Sequence, residues 1–398
     1  MLKRVVESGG NLASYKEASQ VLQRQGNLPV GSKETQRLTE QVGAQWAAVR
    51  DEEVEQFKQG KLPRLHSQPH QAVAVMIDGA YTQTRAAEAP PGVQNPAWSE
   101  VKCASLAALS SRVSAVDPMP EPPSKFLNPE RVKKIVAEVS ERHVAAARKP
   151  PRVEQAQPEP KRKRRKGLRP RILRLVTTFV ATMQDAATFG FMVAAETFRR
   201  GLDLAQRKAF VCDGLAYNWS IYETHFRELG FIPILDFLHL LTYLYTAAQA
   251  LEAGRAWRAW KTYEQWLRWA WCGERKRLLE ALQAASGKMG LPPKDAPEND
   301  RRALVARAAN YVANNYERID YPRYRKLGLP YSSAPAESAV KQFCRRVKGS
   351  EKFWLKEGAE ATLQVRAAYL SQDDRVERLW ARPVELHAYG TNWCDIAA

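Results

Sequence analysis

The stretch AFVCDG, at residues 209–214, decides the fold, because it is a short apolar run that ends in an Asp-Gly pair. Short apolar runs bounded by a turn signal are typical of strands that are buried on both faces. A helical pattern follows at residues 217–229, then a second strand-like run, FIPIL, at 231–235, and then a helical pattern over 236–250. This β-α-β-α order predicts parallel strands with helices on both faces of the sheet.

The same pattern occurs closer to the N-terminus. The run AVAVMI, at residues 72–77, leads into Asp78 and a glycine, so we expect Asp78 at the end of a buried strand. Two further strands are predicted at residues 81–85 and 100–109, and with the first they would form an antiparallel meander. The predicted fold class is therefore α/β, with a mixed sheet flanked by helices.

Residues 1–60 are predicted to be a helical N-terminal region. Within it, residues 14–25 and a second segment that begins at Ser32 and ends near Gly43 have the outline of a helix-turn-helix. The residues that the second helix would offer to DNA are Lys33, Gln36 and Arg37. Two short amphipathic helices around a turn are also common in proteins that do not bind DNA.

Residues 117–170 are interpreted as a flexible, basic segment. It is rich in proline at 118–129, has a helical pattern at 130–148 and contains one uninterrupted basic block. That block consists of Lys161, Arg162, Lys163, Arg164, Arg165 and Lys166. Such a block binds polyanions without sequence specificity. Residues 171–201 after it have the pattern of one long helix.

The chain divides into a catalytic core whose first part spans residues 70–251, an all-helical insertion at 252–330 and the final helices of the core at 331–385. The insertion has no strand-like stretch and contains a cluster of tryptophans, namely Trp257, Trp260, Trp266, Trp269 and Trp271. We interpret these tryptophans as helix-packing residues in preference to a base-stacking platform.

The composition favours a polyanionic partner. The 398 residues include 61 Lys and Arg against 43 Asp and Glu, which is a formal charge of +18. No apolar run is long enough for a membrane span, and the first residues lack the apolar core of a signal peptide, so we expect a cytoplasmic, nucleoid-associated protein without a membrane partner. The cysteines lie singly and the histidines form no metal-binding pair. A metal, if present, would be held by carboxylates.

Three acids lie at the ends of predicted strands or near the start of a predicted helix. Asp78 and Asp213 each follow an apolar strand, and Glu337 lies in the first turns of a late helix. Convergence of three such carboxylates would create a site for two Mg²⁺ or Mn²⁺ ions, because hard divalent cations prefer oxygen ligands. A single acid in such a place is more often a solvated carboxylate, so the argument depends on the repeated Asp-Gly pattern.

Several motifs occur in an order that resembles one family. They are IDG at 77–79, CDGLAYNW at 212–219, ILDFLH at 234–239, SAPAES at 333–338, RRVKGS at 345–350 and EGAE at 357–360. Together they resemble the DDE transposases of bacterial insertion sequences, in particular the group related to ISKra elements and, more distantly, the Mutator-like class. The resemblance covers residues 70–380.

The resemblance implies an RNase H-like catalytic domain in which Asp78, Asp213 and Glu337 form the DDE triad and bind the metal ions. It also implies that residues 252–330 are the insertion that such enzymes carry. Asp236 and His239 fall on an Asp-x-x-His element of the family and are expected near the metal site. Three basic residues beyond Glu337 are predicted to contact phosphate, namely Arg345, Arg346 and Lys348.

The function so implied is transposition. The enzyme would bind the terminal inverted repeats of its element as double-stranded DNA, cleave there and join the freed 3′-hydroxyl to target DNA. Two ends must be held at once, which implies a homodimer or a larger assembly on DNA. Two alternatives remain open at this point: an RNase H-like nuclease without strand transfer, and a catalytically inactive transposase remnant that only binds DNA.

Overall fold

A five-stranded mixed sheet forms the centre of the molecule. The computed structural model describes residues 1–85, 96–143, 172–349, 352 and 354–387. The strands are β1 (Ala72–Arg85), β2 (Pro96–Ser110), β3 (Leu173–Thr182), β4 (Arg207–Cys212) and β5 (Ile232–Leu235). Their order is β3-β2-β1-β4-β5, with antiparallel pairs β1/β2 and β2/β3 and parallel pairs β1/β4 and β4/β5. The predicted mixed α/β class is confirmed.

Helices cover the sheet and also lie before and after it in the chain. They are α1 (Leu2–Asn11), α2 (Tyr15–Gly26), α3 (Ser32–Lys58), α4 (Pro129–His143), α5 (Ala186–Arg199), α6 (Ala216–His225), α7 (Phe237–Leu251), α8 (Ala256–Cys272), α9 (Arg275–Met289), α10 (Arg301–Asn314), α11 (Tyr321–Lys326), α12 (Ala334–Val347), α13 (Lys356–Leu370) and α14 (Arg375–Trp380). Short 3₁₀ turns lie between some of them.

Helix α12 packs on the face of β1 and β2 that matters for the site. Val340 and Phe343 of this helix are buried together with Ala80 of β1 and Cys103 of β2. Side chains alternate between the two faces of a strand, so residues two apart share a face. Asp78 is two residues before Ala80 and therefore lies on the face that α12 covers.

Strand β1 is longer than the sequence predicts, and Asp78 is not at its end. The strand continues through Gly79 to Arg85, so the predicted strand at 81–85 is part of β1. Gly79 allows close packing and does not form a turn. A Cβ at this position would lie 2.7 Å from Glu100 Oε1 on β2. The Asp-Gly pair at 78 was therefore misread as a strand terminus.

The third strand of the meander comes from a region that was predicted to be helical. Residues 171–201 do not form one helix, since β3 occupies Leu173–Thr182 and α5 begins only at Ala186. The break between them is Asp185, whose carboxylate accepts a hydrogen bond from Thr188 N at 2.9 Å and caps α5. The β-branched residues of β3 favour an extended strand, and that preference outweighed the apparent helical period.

The N-terminal helices also differ from their prediction. Helix α3 does not end near Gly43 but runs 27 residues, from Ser32 to Lys58. A Cβ at Gly43 would lie 2.2 Å from the carbonyl oxygen of Ala361 on α13, so this glycine allows two helices to approach closely. Helix α1, which lies in the region predicted to be helical but was not delimited from the sequence, packs against α2, α3 and α13.

The first part of the segment predicted to be flexible is packed into the fold. Phe126 is buried and its ring contacts those of Phe237 and Trp271. Asp117 forms an ion pair with Arg325 at 2.5 Å. Residues 117–143 therefore belong to the folded body, because their aromatic and charged side chains find buried partners. The basic block at 161–166 lies outside the described residues.

The region predicted to be an all-helical insertion contains α8 to α11 and no strand among its residues. Trp271 is fully buried and donates from Nε1 to the carbonyl oxygen of Met119 at 2.8 Å, whereas Trp257 is 72% exposed. Most of the tryptophan cluster thus packs inside, as interpreted from the sequence. The division into domains stays a prediction.

Candidate metal site on the central strands

Two of the predicted catalytic acids lie on adjacent parallel strands. Strands β1 and β4 pair with Met76 opposite Val211. Continuing this register by two residues aligns Asp78 with Asp213. Neighbouring strands are about 4.8 Å apart, and aligned residues project to the same face of a sheet. The fold therefore brings these two carboxylates side by side, although 135 residues separate them in the chain.

A third aspartate lies at the same level on the next strand. In the pairing of β4 with β5, Cys212 lies opposite Leu235. The next residue on each strand is Asp213 and Asp236, respectively, so these two aspartates are aligned as well. All three aspartates are buried, as the strand positions require. One row of carboxylates thus crosses β1, β4 and β5.

Asp236 ties this row to the helix that carries the predicted glutamate. It caps α7, where its Oδ1 accepts from Leu238 N at 3.3 Å, and the same oxygen accepts from Ser333 N at 3.0 Å. Its Oδ2 is 2.6 Å from His239 Nδ1. Because Ser333 immediately precedes α12, these bonds fix the start of that helix beside the end of β5.

Glu337 lies one turn into α12 and completes a close group. Ligand atoms of Asp236, His239 and Glu337 all lie within 4.8 Å of one another, and all three residues are buried. In the part of the chain that the structure describes, Asp78 and Asp213 are not members of this closest group. Of the predicted triad, Glu337 thus belongs to the group with Asp236 and His239, and the other two acids lie along the strand row.

Electrostatic interactions link His239 to the three aspartates. Burial lowers the pKa of His239, but the hydrogen bond and charge of Asp236, together with the charges of Asp213 and Asp78, raise it to about 9. Burial raises the pKa of Asp236, but His239 and the backbone N–H groups bring it below its usual range. His239 is therefore a cation among carboxylates at neutral pH.

Asp213 is oriented by Asn218, for which the sequence predicts no role. Its Oδ1 accepts from Asn218 Nδ2 at 2.7 Å and from Leu215 N at 3.1 Å. Asn218 lies in the first turns of α6, so the tight connection from β4 to α6 places its amide beside the carboxylate. The asparagine is part of the CDGLAYNW motif, which was the available signal, but the spacing alone does not reveal the contact.

The predicted DNA contacts of α3 have different surroundings. Lys33 and Gln36 are exposed near the start of the helix. Arg37 is paired with Glu34, with Nε 2.8 Å from Oε2, and also donates to the carbonyl oxygen of His387. Lys33 therefore remains available to a partner, whereas Gln36 donates from Nε2 to Glu40 Oε1 at 2.9 Å and Arg37 holds residues near His387 against α3.

One of the predicted phosphate contacts on α12 is wrong. Arg346 is only 2% exposed, and its Nε donates to the carbonyl oxygen of Gly9 at 2.8 Å. Its guanidinium lies over the rings of Tyr15 and Trp354, 4.1 and 5.1 Å from their centroids. The helical period turns this residue into the protein, while its neighbour Arg345 and also Lys348 are exposed.

Comparisons with known proteins identify no relative, since no protein-family model and no curated protein matches the chain. Among the described helices, none has the length and apolar composition needed to cross a bilayer.

The chemistry of the donor set fits hard divalent cations. Asp78, Asp213 and Glu337 offer carboxylate oxygens, which are the ligands that Mg²⁺ and Mn²⁺ prefer. Both oxygens of Asp236 are already used by two backbone N–H groups and by His239. Asp236 is therefore better suited to orient His239 and α12 than to bind a cation.

Proposed function

We propose that this chain is a metal-dependent DDE transposase with an RNase H-like core, which cleaves DNA at the ends of an insertion sequence and joins those ends to target DNA. The observation that carries the proposal is the row of Asp78, Asp213 and Asp236 across three parallel strands, with Glu337 held beside it. Sequence motifs and fold support the same assignment independently.

The sheet supports the RNase H-like part of the proposal. Strands β3, β1, β4 and β5 run in one direction and β2 runs in the other, in the order β3-β2-β1-β4-β5. An RNase H-like core has such a sheet, with acids on its central strands and on a helix packed against one face. Helix α12 occupies that place here.

Asp78, Asp213 and Glu337 would hold two Mg²⁺ or Mn²⁺ ions. When bound, such ions activate the attacking oxygen and stabilise charge on the leaving oxygen in phosphodiester displacement. Asn218 fixes the Asp213 carboxylate, and Asp236 fixes His239 and the start of α12. Hydrolysis at the element end and attack by the freed 3′-hydroxyl are both in-line displacements at phosphorus, so one set of carboxylates can serve both.

Charge supports double-stranded DNA as the partner. The chain carries a formal charge of +18, and the basic block at 161–166 contributes 6 of these positive charges. Arg345 and Lys348 are exposed on the helix that carries Glu337, where they would contact the phosphates that flank the site. Simultaneous binding of two element ends would require at least a homodimer.

Cleavage of end-bearing DNA tests the triad. The DNA would carry the natural sequences that flank the gene and would be incubated with the full chain and Mg²⁺. We expect Asp78→Asn, Asp213→Asn and Glu337→Gln each to reduce the cleavage rate to about one thousandth or less. Asp295→Asn, an exposed acid in a loop, is the matched control. Undiminished cleavage by the triad variants would refute the assignment.

The same reactions separate the alternatives. A transposase joins cleaved 3′ ends to an added target plasmid, whereas an RNase H-like nuclease leaves them unjoined. An inactive remnant binds DNA in a salt-sensitive manner, cleaves none and is unaffected by the triad substitutions.

A further inference from the structure

Tyr311, in helix α10 of the helical insertion, reaches the catalytic face of the core. Its ring stacks on that of Tyr243 of α7, with centroids 3.9 Å apart and planes inclined by 11°. Tyr243 is one helical turn beyond His239. The stacked pair therefore joins the insertion to the helix that carries His239.

The ring of Tyr311 also contacts the backbone next to Asp213. A Cβ on Gly214 would lie 2.2 Å from Cε2 of Tyr311, so only glycine at this position allows the ring to pack there. Gly214 thus has a second explanation besides turn formation. Because it has no side chain, the ring of Tyr311 from the distant helix α10 can pack beside Asp213.

The hydroxyl of Tyr311 is buried and has no hydrogen-bond partner within the described structure. Burying a hydroxyl without a partner is unfavourable, so such groups are rare and call for an explanation. The Asp213 carboxylate instead accepts at Oδ1 from Leu215 N and Asn218 Nδ2.

The surroundings keep this hydroxyl protonated. Burial raises the pKa of Tyr311 well above its usual value, and the nearby carboxylates of Asp213 and Asp236 raise it further. The group is therefore a neutral hydrogen-bond donor beside the carboxylate row, and it can serve an acceptor-rich ligand that enters the site.

We propose that the Tyr311 hydroxyl donates a hydrogen bond to a phosphate oxygen of the DNA that is bound at Asp213. The inference rests on the proposed function, because it assumes that a phosphodiester occupies this site. It gives the helical insertion a direct part in the reaction: the insertion supplies a substrate contact that the sheet and its flanking helices lack.

Tyr311→Phe tests the inference, since it removes the hydroxyl and keeps the stacked ring. Single-turnover cleavage of the end-bearing DNA should be about 10- to 100-fold slower, which is the loss expected for a hydrogen bond to a charged group. The Tm of the free protein should stay the same or rise, because a buried hydroxyl without a partner is removed. Tyr245→Phe, which removes a hydroxyl on another side of α7, is the matched control.

A second readout needs no cleavage. Inorganic phosphate added with Mg²⁺ should raise the Tm of the wild type by binding at the site, and should raise that of Tyr311→Phe by less. A cleavage rate within twofold of wild type, or a loss of rate together with a fall in Tm, would overturn the inference. If Asp213→Asn cleaves normally, the proposed function fails, whatever Tyr311→Phe does.

Discussion

At the scale of single residues, neighbouring arginines on α12 have opposite roles. Arg345 is exposed, whereas Arg346 is buried and donates to the end of α1. A run of basic residues in the sequence does not show which of them face solvent, because that depends on where the helix packs. The two residues therefore give a matched pair of predictions.

Arg345→Ala should weaken DNA binding without affecting the fold. The loss of one phosphate contact should reduce the slope of log K against log salt concentration by about 1, and the effect should be similar for all DNA sequences. Fluorescence anisotropy over a series of salt concentrations measures this slope. An unchanged slope would show that Arg345 makes no phosphate contact.

Arg346→Ala should instead destabilise the protein. It leaves the carbonyl oxygen of Gly9 without its buried donor and removes the cation from the rings of Tyr15 and Trp354. We expect the free energy of unfolding to fall by about 2 kcal/mol or more. Urea unfolding measures it, and equal stability of Arg346→Ala and Arg345→Ala would contradict the packing described here.

Glu196 is predicted to make stability depend on pH in the acid range. Burial raises its pKa, but the guanidinium groups of Arg375 and Arg199 lower it to about 2, from 4.5 in the unfolded chain. A lowered carboxyl pKa stabilises the fold above about pH 4.5, and this contribution is lost as the pH falls towards 2. Glu196→Gln should remove roughly 3 kcal/mol at pH 7.

Urea unfolding of wild type and Glu196→Gln at pH 7 and pH 3 tests that prediction. The stability difference between the two proteins should be smaller at pH 3 than at pH 7, because protonation of Glu196 has begun to weaken the wild type as well. If the stability difference between the two proteins were the same at both pH values, the charge of the Glu196 carboxylate would not be what stabilises its ion pairs with Arg199 and Arg375.

At the scale of elements, the parallel part of the sheet could be predicted from the sequence and much of the rest could not. The apolar runs before Asp213 and Asp236 lie where strands β4 and β5 form. Strand β3 was misread because residues 173–182 have an apolar spacing that also suits a helix. The ends of β1 and α3 were placed too early at Gly79 and Gly43, since a glycine that permits close packing looks the same in a sequence as one that ends an element.

Gly43→Ala tests that explanation of α3. A Cβ at this position would meet the carbonyl oxygen of Ala361, so α3 and α13 would have to separate, at a cost of about 1–3 kcal/mol. The control is Gly287→Ala in α9, where a Cβ meets nothing within 4 Å. That substitution should stabilise by roughly 0.5–1 kcal/mol, because alanine is the better helix former. Equal effects of the two substitutions in urea unfolding would count against the close approach.

At the scale of the whole molecule, the site is assembled from residues that are far apart in the chain. The repeated Asp-Gly pattern and the motif order were enough to select Asp78, Asp213 and Glu337. Asn218 and Tyr311 could not be selected, because their proximity to Asp213 arises only when α6 and the insertion fold against the sheet. The inward position of Arg346 has the same origin, because its partners Gly9, Tyr15 and Trp354 come from other parts of the fold.

The basic block at residues 161–166 should strengthen binding to DNA of any sequence and should not affect the thermal stability of the protein. Deleting residues 161–166 removes six positive charges. If each contacts a phosphate, the salt slope should become smaller by up to about 5, while the Tm and the triad-dependent chemistry persist. A comparison of anisotropy titrations and thermal unfolding for the two chains measures both effects. Loss of thermal stability on deletion would contradict a purely electrostatic role.

The central claim is that Asp78, Asp213 and Glu337 bind catalytic cations together. The most direct measurement is anomalous X-ray diffraction from crystals of the full chain soaked in Mn²⁺. We expect manganese peaks bounded by these three carboxylates, and their loss in Asp213→Asn crystals. A map with no manganese between these acids, at a concentration that supports cleavage, would contradict it.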